Sequence, residues 1–171
     1  MTREKIKNMV FFMIIALILI AVDQITKYAA ASTLAGADKN IIDGFFYFEL
    51  VHNRGAAFGI LSDSRIFFCT VTIIFGMIIL FVNMKLPDKK LYRPLRVTLI
   101  ILFAGAVGNL IDRIKNGYVI DFIAFDFGKY SFPRFNVADI YVCCAALLLF
   151  VLTIFYYNDE QLSAIFKRKD S

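Results

Sequence analysis

"VTLIILFAGAVGNLIDRIKNGYVIDFIAFDF", residues 97–127, changes character twice, and those changes decide the fold. Val97 to Ile111 carries no charge and is broad enough for most of a membrane-spanning helix. Asp112 and Arg113 then close the apolar run, Asn116-Gly117 signals a turn, and "GYVIDFIAFDF" reads as a strand rich in aromatic and branched residues. The stretch is therefore a lipid-crossing helix that hands over to a strand at the far surface.

The rest of the chain repeats the helical half of this pattern. Charge is also absent from Asn8 to Val22, Ile66 to Met84 and Ile140 to Asn158, so four spans are predicted, at about 8–28, 66–84, 96–114 and 138–158. A chain of 171 residues that is 60% hydrophobic, with mean hydropathy +0.69, is too apolar for a soluble single-core domain, and the reading is one polytopic membrane domain over residues 1–171. Arg3, Lys5 and Lys7, then Lys85, Lys89, Lys90, Arg93 and Arg96, then Lys167, Arg168 and Lys169 mark three segments as cytoplasmic, both termini included. The net charge of +5 is thus an orientation signal, which leaves no basis for a nucleic-acid partner. Residues 1–22 also have the layout of a signal peptide, but its removal would leave three spans and break the agreement among the loop charges.

The first outward loop contains "IIDGFFYFELVHN", a strand or hairpin with Asp43-Gly44 as its turn signal. Paired with "GYVIDFIAFDF", it would form a small sheet at the lipid headgroups, where aromatic rings are favoured. The fold class expected is an α-helical integral membrane protein of four transmembrane helices with a small extracytoplasmic β-sheet on the outer surface.

Depth directs attention to the acids. Asp23 and Asp112 each lie 16 residues beyond a basic marker, Lys7 and Arg96, which is ~24 Å of helix against a hydrocarbon layer of ~30 Å. Asp139 opens the fourth span at the same face. Ionisable groups at such depth are costly and therefore functional candidates.

Each constellation also has a plain structural account. Asp23 and Lys27 are spaced for an i,i+4 ion pair that could brace a polar site. Gly55 and Gly59 of "HNRGAAFGI" suit a turn, while Asn53 and Arg54 are offered to something nearby. Ala104 and Gly108 form a small-xxx-small pattern, so packing accounts for Gly105 and Gly108, whereas Asn109, Asp112 and Arg113 need partners. Asn136 with Asp139 fits a helix cap and leaves Asp121, an acid inside a strand-like segment, unexplained. On the residues alone Asp121 and Asp139 serve catalysis or ion binding, and a cation-coupled carrier or an assembly protein glued by Asp-Arg pairs stays open. The lone His52 is read as a local hydrogen-bonding group and Cys69, Cys143 and Cys144 as small core residues.

"DQITK", "NRGAAFG", "GAVGNLIDR", "GYVIDF" and "FNVADI", in this order on these spans, resemble the lipoprotein signal peptidase (signal peptidase II) family. The resemblance implies an aspartyl endopeptidase of the bacterial plasma membrane, with its site at the extracytoplasmic face. It would act as a monomer among membrane lipid, cutting prolipoproteins just before a diacylglyceryl-modified cysteine. It implies Asp121 and Asp139 as the catalytic pair, Asn53, Asn109, Arg113 and Asn136 as shaping the substrate pocket beside Gly55, and Asp23, Lys27, Gly108 and Asp112 as support. Arg54 stands where the family is expected to vary. No metal or cofactor is implied.

Overall fold

The computed structural model describes residues 3–55 and 64–167, so Gly59 and the basic residues Arg168 and Lys169 lie outside the described residues. Its order is α1 (Arg3–Thr33), β1 (Lys39–Ile42), β2 (Phe46–Asn53), α2 (Arg65–Lys85), α3 (Arg93–Asn116), β3 (Val119–Phe127), β4 (Tyr130–Ser131), α4 (Val137–Val151) and α5 (Asp159–Ala164). Among the described residues, four helices are long and apolar enough to cross a membrane: Arg3–Thr33, Arg65–Lys85, Lys90–Asn116 and Val137–Tyr156. The last includes a π-helical turn, Leu152–Tyr156, at its end.

α3 is the hub. More than half of its most apolar window is covered by protein, against less than a fifth for each of the other spans. Pro94 suits its start because the first turn lacks backbone partners anyway. Gly117 ends it in the left-handed region at φ 84°, its N–H donating to Arg113 O at 3.1 Å, so the turn at Asn116-Gly117 is a helix cap. α1 buries Phe12, Ala16, Asp23, Lys27 and Ala30, positions at helical spacing that make one inward stripe. Phe12 and Ala16 of that stripe cluster with Ile79, Leu99, Ile100, Leu102 and Ala145, with Phe12 edge-on to Phe103 at 5.5 Å. The outward faces carry exposed Leu17, Ile25, Phe75, Ile78, Leu147 and Phe150, a surface suited to lipid.

Packing around α3 depends on missing side chains. A Cβ on Gly105 would stand 2.5 Å from Ala138 O and 2.8 Å from Val142 Cγ2, so α4 sits against bare backbone.

The sheet is antiparallel in the order β1-β2-β3-β4. β1 and β2 form the hairpin expected around Asp43-Gly44, with Gly44 at φ 69°. β2 pairs with β3 as Phe48↔Ile123 and then Val51↔Asp121, so one extra residue bulges from β2 between them. The sheet rests on the outer end of α1, where Ala30 and Leu34 pack with Phe122.

Several expectations need correction. α1 runs beyond 8–28 at both ends, and its outer turns continue past the apolar run because the sheet gives them a surface to pack on. Arg96, read as the inner start of the third span, lies inside α3 and is buried. Cys143 and Cys144 are exposed on α4 and Cys69 is half-covered, so they are not core residues; a free thiol is apolar enough for such a face. The surface helix α5, with its Asn158–Gln161 capping box, was not anticipated.

Gly105→Ala should push α4 off α3 and cost about 1–3 kcal/mol, read as a lower melting temperature in detergent. Gly76→Ala, whose Cβ would meet only Phe103 at 3.6 Å, should show no such loss.

Candidate active site

The site grows from one buried cation. Lys27 Nζ lies 3.0 Å from Asp23 Oδ2 and 2.9 Å from Asp112 Oδ2, and it donates to Asn109 Oδ1 at 2.8 Å. An ammonium has three donors, and all three are used. Asp23, Lys27 and Asp112 are 0%, 1% and 3% exposed, so the excess carboxylate charge must be met by other donors. Asp23 Oδ1 accepts from Ala138 N at 2.9 Å, Asp112 Oδ2 from Ile120 N at 3.2 Å, and Gln24 Nε2 donates to Asp23 Oδ2 at 3.1 Å and Asp112 Oδ1 at 3.0 Å. This cluster ties α1 to α3, to the start of α4 and to β3. Gly108 permits it, because a Cβ there would stand 2.6 Å from Asp23 Oδ2.

Asn109 carries the order onward. Its Nδ2 donates to Asp139 Oδ1 at 2.8 Å, while its Oδ1 accepts from Lys27 and, at 3.2 Å, from Asn136 Nδ2. Lys27 thereby determines which way the Asn109 amide points.

Asn136 joins the two remaining acids. Its side chain accepts from Asp139 N at 3.1 Å and its own N–H donates to Asp139 Oδ2 at 3.1 Å, the reciprocal cap that starts α4. The same side chain donates through Nδ2 to Asp121 Oδ1 at 2.6 Å. Cap and bridge are thus one residue. Asp121 Oδ2 accepts from Asn53 Nδ2 at 2.9 Å, and Asn53 Oδ1 in turn accepts from Gly55 N at 3.0 Å.

The bulge in β2 selects Asn53 for this task. Beyond it the pairing is Val51↔Asp121 and Asn53↔Val119; unbroken register from Phe48↔Ile123 would have set His52 opposite Val119. His52 instead lies against the Tyr118 ring, centroids 4.2 Å apart.

Asn53, Gly55, Asn109, Arg113, Asp121 and Asp139 all line one cleft of about 360 Å³, walled by Phe132, Pro133, Arg134 and Phe135. Asn136 reaches it through both carboxylates, while Asp23, Lys27, Gly108 and Asp112 stand behind it. Arg113 stacks over Phe68 at 4.9 Å. Asp121 is 2% exposed, and burial pushes its carboxyl up to about 7, with the Asp139 charge adding to the shift and the Asn53 and Asn136 amides opposing it.

Two features were not found from sequence. Gln24 sits beside Asp23 within the "DQITK" stretch, and its closeness in depth was the available signal. Arg134 donates to Glu49 Oε2 at 2.6 Å and to the Tyr47 hydroxyl, and Tyr47 donates to Asp126 Oδ2 at 2.5 Å. The bond to Asp126 helps push the Tyr47 phenol up to about 12. Only the sheet brings these four residues together.

A multi-pass membrane protein with two carboxylates bridged by one asparagine in a cleft at one end of its bundle is the class that fold and site define. The family described as Signal peptidase (SPase) II matches residues 15–155. The chain is 42% identical over 144 residues to the lipoprotein signal peptidase of Caldanaerobacter subterraneus, covering 83% of this chain and 94% of that one. It is 43% identical over 139 residues to that of Symbiobacterium thermophilum, covering 81% and 90%. A bacterial membrane enzyme solved by the in meso method at 2.3 Å superposes with a TM-score of 0.73 at 33% identity, over 87% of this chain and 93% of that one. The chain belongs to the signal peptidase II family.

Lys27→Met would leave two buried carboxylates without their cation and should cost about 3–5 kcal/mol, seen in thermal denaturation. Asp121 adds a pH dependence of defined sign. Its folded form holds a proton to about 7 and its unfolded form only to 3.8, so the folded state binds more protons across that window and stability falls as pH rises. The melting temperature of the parent should therefore decline relative to Asp121→Asn over the same window.

Proposed function

We propose that Asp121 and Asp139 are the catalytic pair of an aspartyl endopeptidase that cuts prolipoproteins before a diacylglyceryl-modified cysteine. Membership of the family makes the chain a peptidase, and removal of signal peptides from prolipoproteins is its reaction. The observation that carries the assignment of residues is the Asn136 bridge, which ties both carboxylates into one unit facing the cleft.

Two carboxyls held together in a poorly solvated cleft share one proton. With the Asp121 carboxyl carried to about 7, the pair retains one proton near neutral pH, and the proposed cycle starts with it on Asp121. Asp139 then takes a proton from a water as that water attacks the scissile carbonyl. Asp121 gives its proton to the carbonyl oxygen, forming a tetrahedral diol; Asp139 then passes the proton it took from water to the departing amine as the C–N bond breaks, and a diol hydroxyl returns a proton to Asp121. Asn109 and the Asn136 backbone N–H aim the Asp139 oxygens, while Asn53 and Asn136 aim those of Asp121.

The basic segments support a topology with both termini cytoplasmic and the cleft at the extracytoplasmic face of the bacterial plasma membrane. There a lipidated cysteine can leave its acyl chains in the bilayer while its peptide bond meets the aspartates. The exposed aromatic rings of the sheet favour that interface. Every residue the mechanism uses comes from a single membrane domain of one chain, which supports a monomer.

Asp121→Asn and Asp139→Asn should each abolish cleavage of a diacylglyceryl-modified prolipoprotein while substrate is still bound. Turnover retained by either variant would overturn the assignment. In the parent, cleavage should fall as pH rises above about 7, where Asp121 loses its proton.

A further inference from the structure

At the opposite end of the bundle is a second polar cleft that the peptidase reaction does not use. Lys5 and Met9 of α1, Asn83 and Met84 of α2, Leu86 and Asp88 of the following loop, and Arg96 of α3 enclose about 260 Å³. Asn83 is only 3% exposed, and its Oδ1 is a buried acceptor without a hydrogen-bond partner among the described residues. Its Nδ2 faces Met9 Sδ at 3.9 Å, a weak acceptor with no hydrogen to donate, so exchanging the two amide atoms would leave both without a partner. A buried amide left in this state is costly, which points to something that fills the cleft and supplies a donor.

The other lining groups define what that is. Arg96 is 7% exposed, and no described residue accepts a hydrogen bond from its guanidinium. Asp88 Oδ1 accepts from Asn8 Nδ2 at 2.8 Å, and Lys5 Nζ donates to Met84 O at 3.1 Å. Lys5, Arg96 and Asp88 are the charged groups of the lining, and Arg96 and Asp88 attract each other across it. The occupant must therefore offer anionic acceptors to the cations and a donor to Asn83. Its remainder must tolerate Met9, Met84 and Leu86.

Location narrows the class. The first turns of α1 and the last turn of α2 are where these spans leave the apolar layer, and Lys85, Lys89 and Lys90 ring the same end. Phospholipid headgroups occupy that level of a bilayer. We propose that this cleft binds a phospholipid headgroup, its phosphodiester on Arg96 and Lys5 and a terminal N–H or O–H donor on Asn83 Oδ1 beside Asp88. Ethanolamine and glycerol headgroups have both parts; choline has the phosphodiester but no terminal donor. The bound lipid would hold together the ends of α1, α2 and α3 farthest from the carboxylates.

The test uses the full chain in detergent, stripped of lipid and offered phosphatidylethanolamine, phosphatidylglycerol or phosphatidylcholine with identical acyl chains. Retained lipid is read by native mass spectrometry. The ethanolamine form, the glycerol form or both should be held about tenfold more strongly than choline, and Asn83→Leu and Arg96→Met should each erase that preference. Preference for ethanolamine alone assigns the donor to an ammonium facing Asp88, and for glycerol alone to a hydroxyl. Equal retention of all three lipids by the parent would overturn the proposal, and that arm requires no variant to fold. An unchanged lipid order in Asn83→Leu would overturn it too, since the cleft would then hold water. Prolipoprotein cleavage by both variants should match the parent, which separates failure here from failure of the catalytic assignment.

Discussion

A single ammonium buried between two carboxylates is the constraint on which the rest of the structure depends. Lys27, Asp23 and Asp112 are all almost fully buried, so each charge is tolerable only while the others are in place. Because the partners come from α1 and α3, the longitudinal setting of these helices admits little freedom. Asp23 then reaches the first turn of α4 through Ala138 N, and Asp112 reaches β3 through Ile120 N. Four elements are thus positioned by one electrostatic contact set.

That arrangement suits a protein whose solvent is hydrocarbon. Lipid tails are as apolar as the outward Leu, Ile and Phe side chains, so burying such side chains against one another gives little preference for one helix packing over another. Close backbone approach and polar contacts supply it instead. Gly105 lets α4 lie on α3, Gly108 admits the Asp23 carboxylate, and the Lys27 cluster sets the register at the same level. The carboxylate cleft is then built one layer outward, with Asn109 relaying the orientation from the cation to Asp139.

Much of this was legible along the chain because lipid imposes simple rules. Four uncharged stretches, the grouping of basic residues and the equal depths of Asp23 and Asp112 follow from span length and the cost of intramembrane charge. The ion pair read from "DQITK" and the cap read from Asn136 and Asp139 are both present, and in the structure each also joins a larger network. Reading the ion pair and the cap as structural devices did not conflict with a place in the site, because Asn136 caps α4 and bridges to Asp121 with the same amide.

What the sequence determined by itself is the number of apolar spans, the sheet-forming loops and the level of the acids along their helices, since these depend on composition and local periodicity. Only the tertiary structure decided which polar groups meet. The one-residue bulge in β2 turns Asn53 rather than His52 toward Asp121, and no local pattern marks it, because a bulge is specified by the pairing of two strands distant in the chain. Likewise Arg134 meets Glu49 and Tyr47 across more than eighty residues, and the Asn83 amide faces an open cleft because three helix ends converge around it. Those contacts arise from the packing of separate elements, and no spacing within any one of them encodes the outcome.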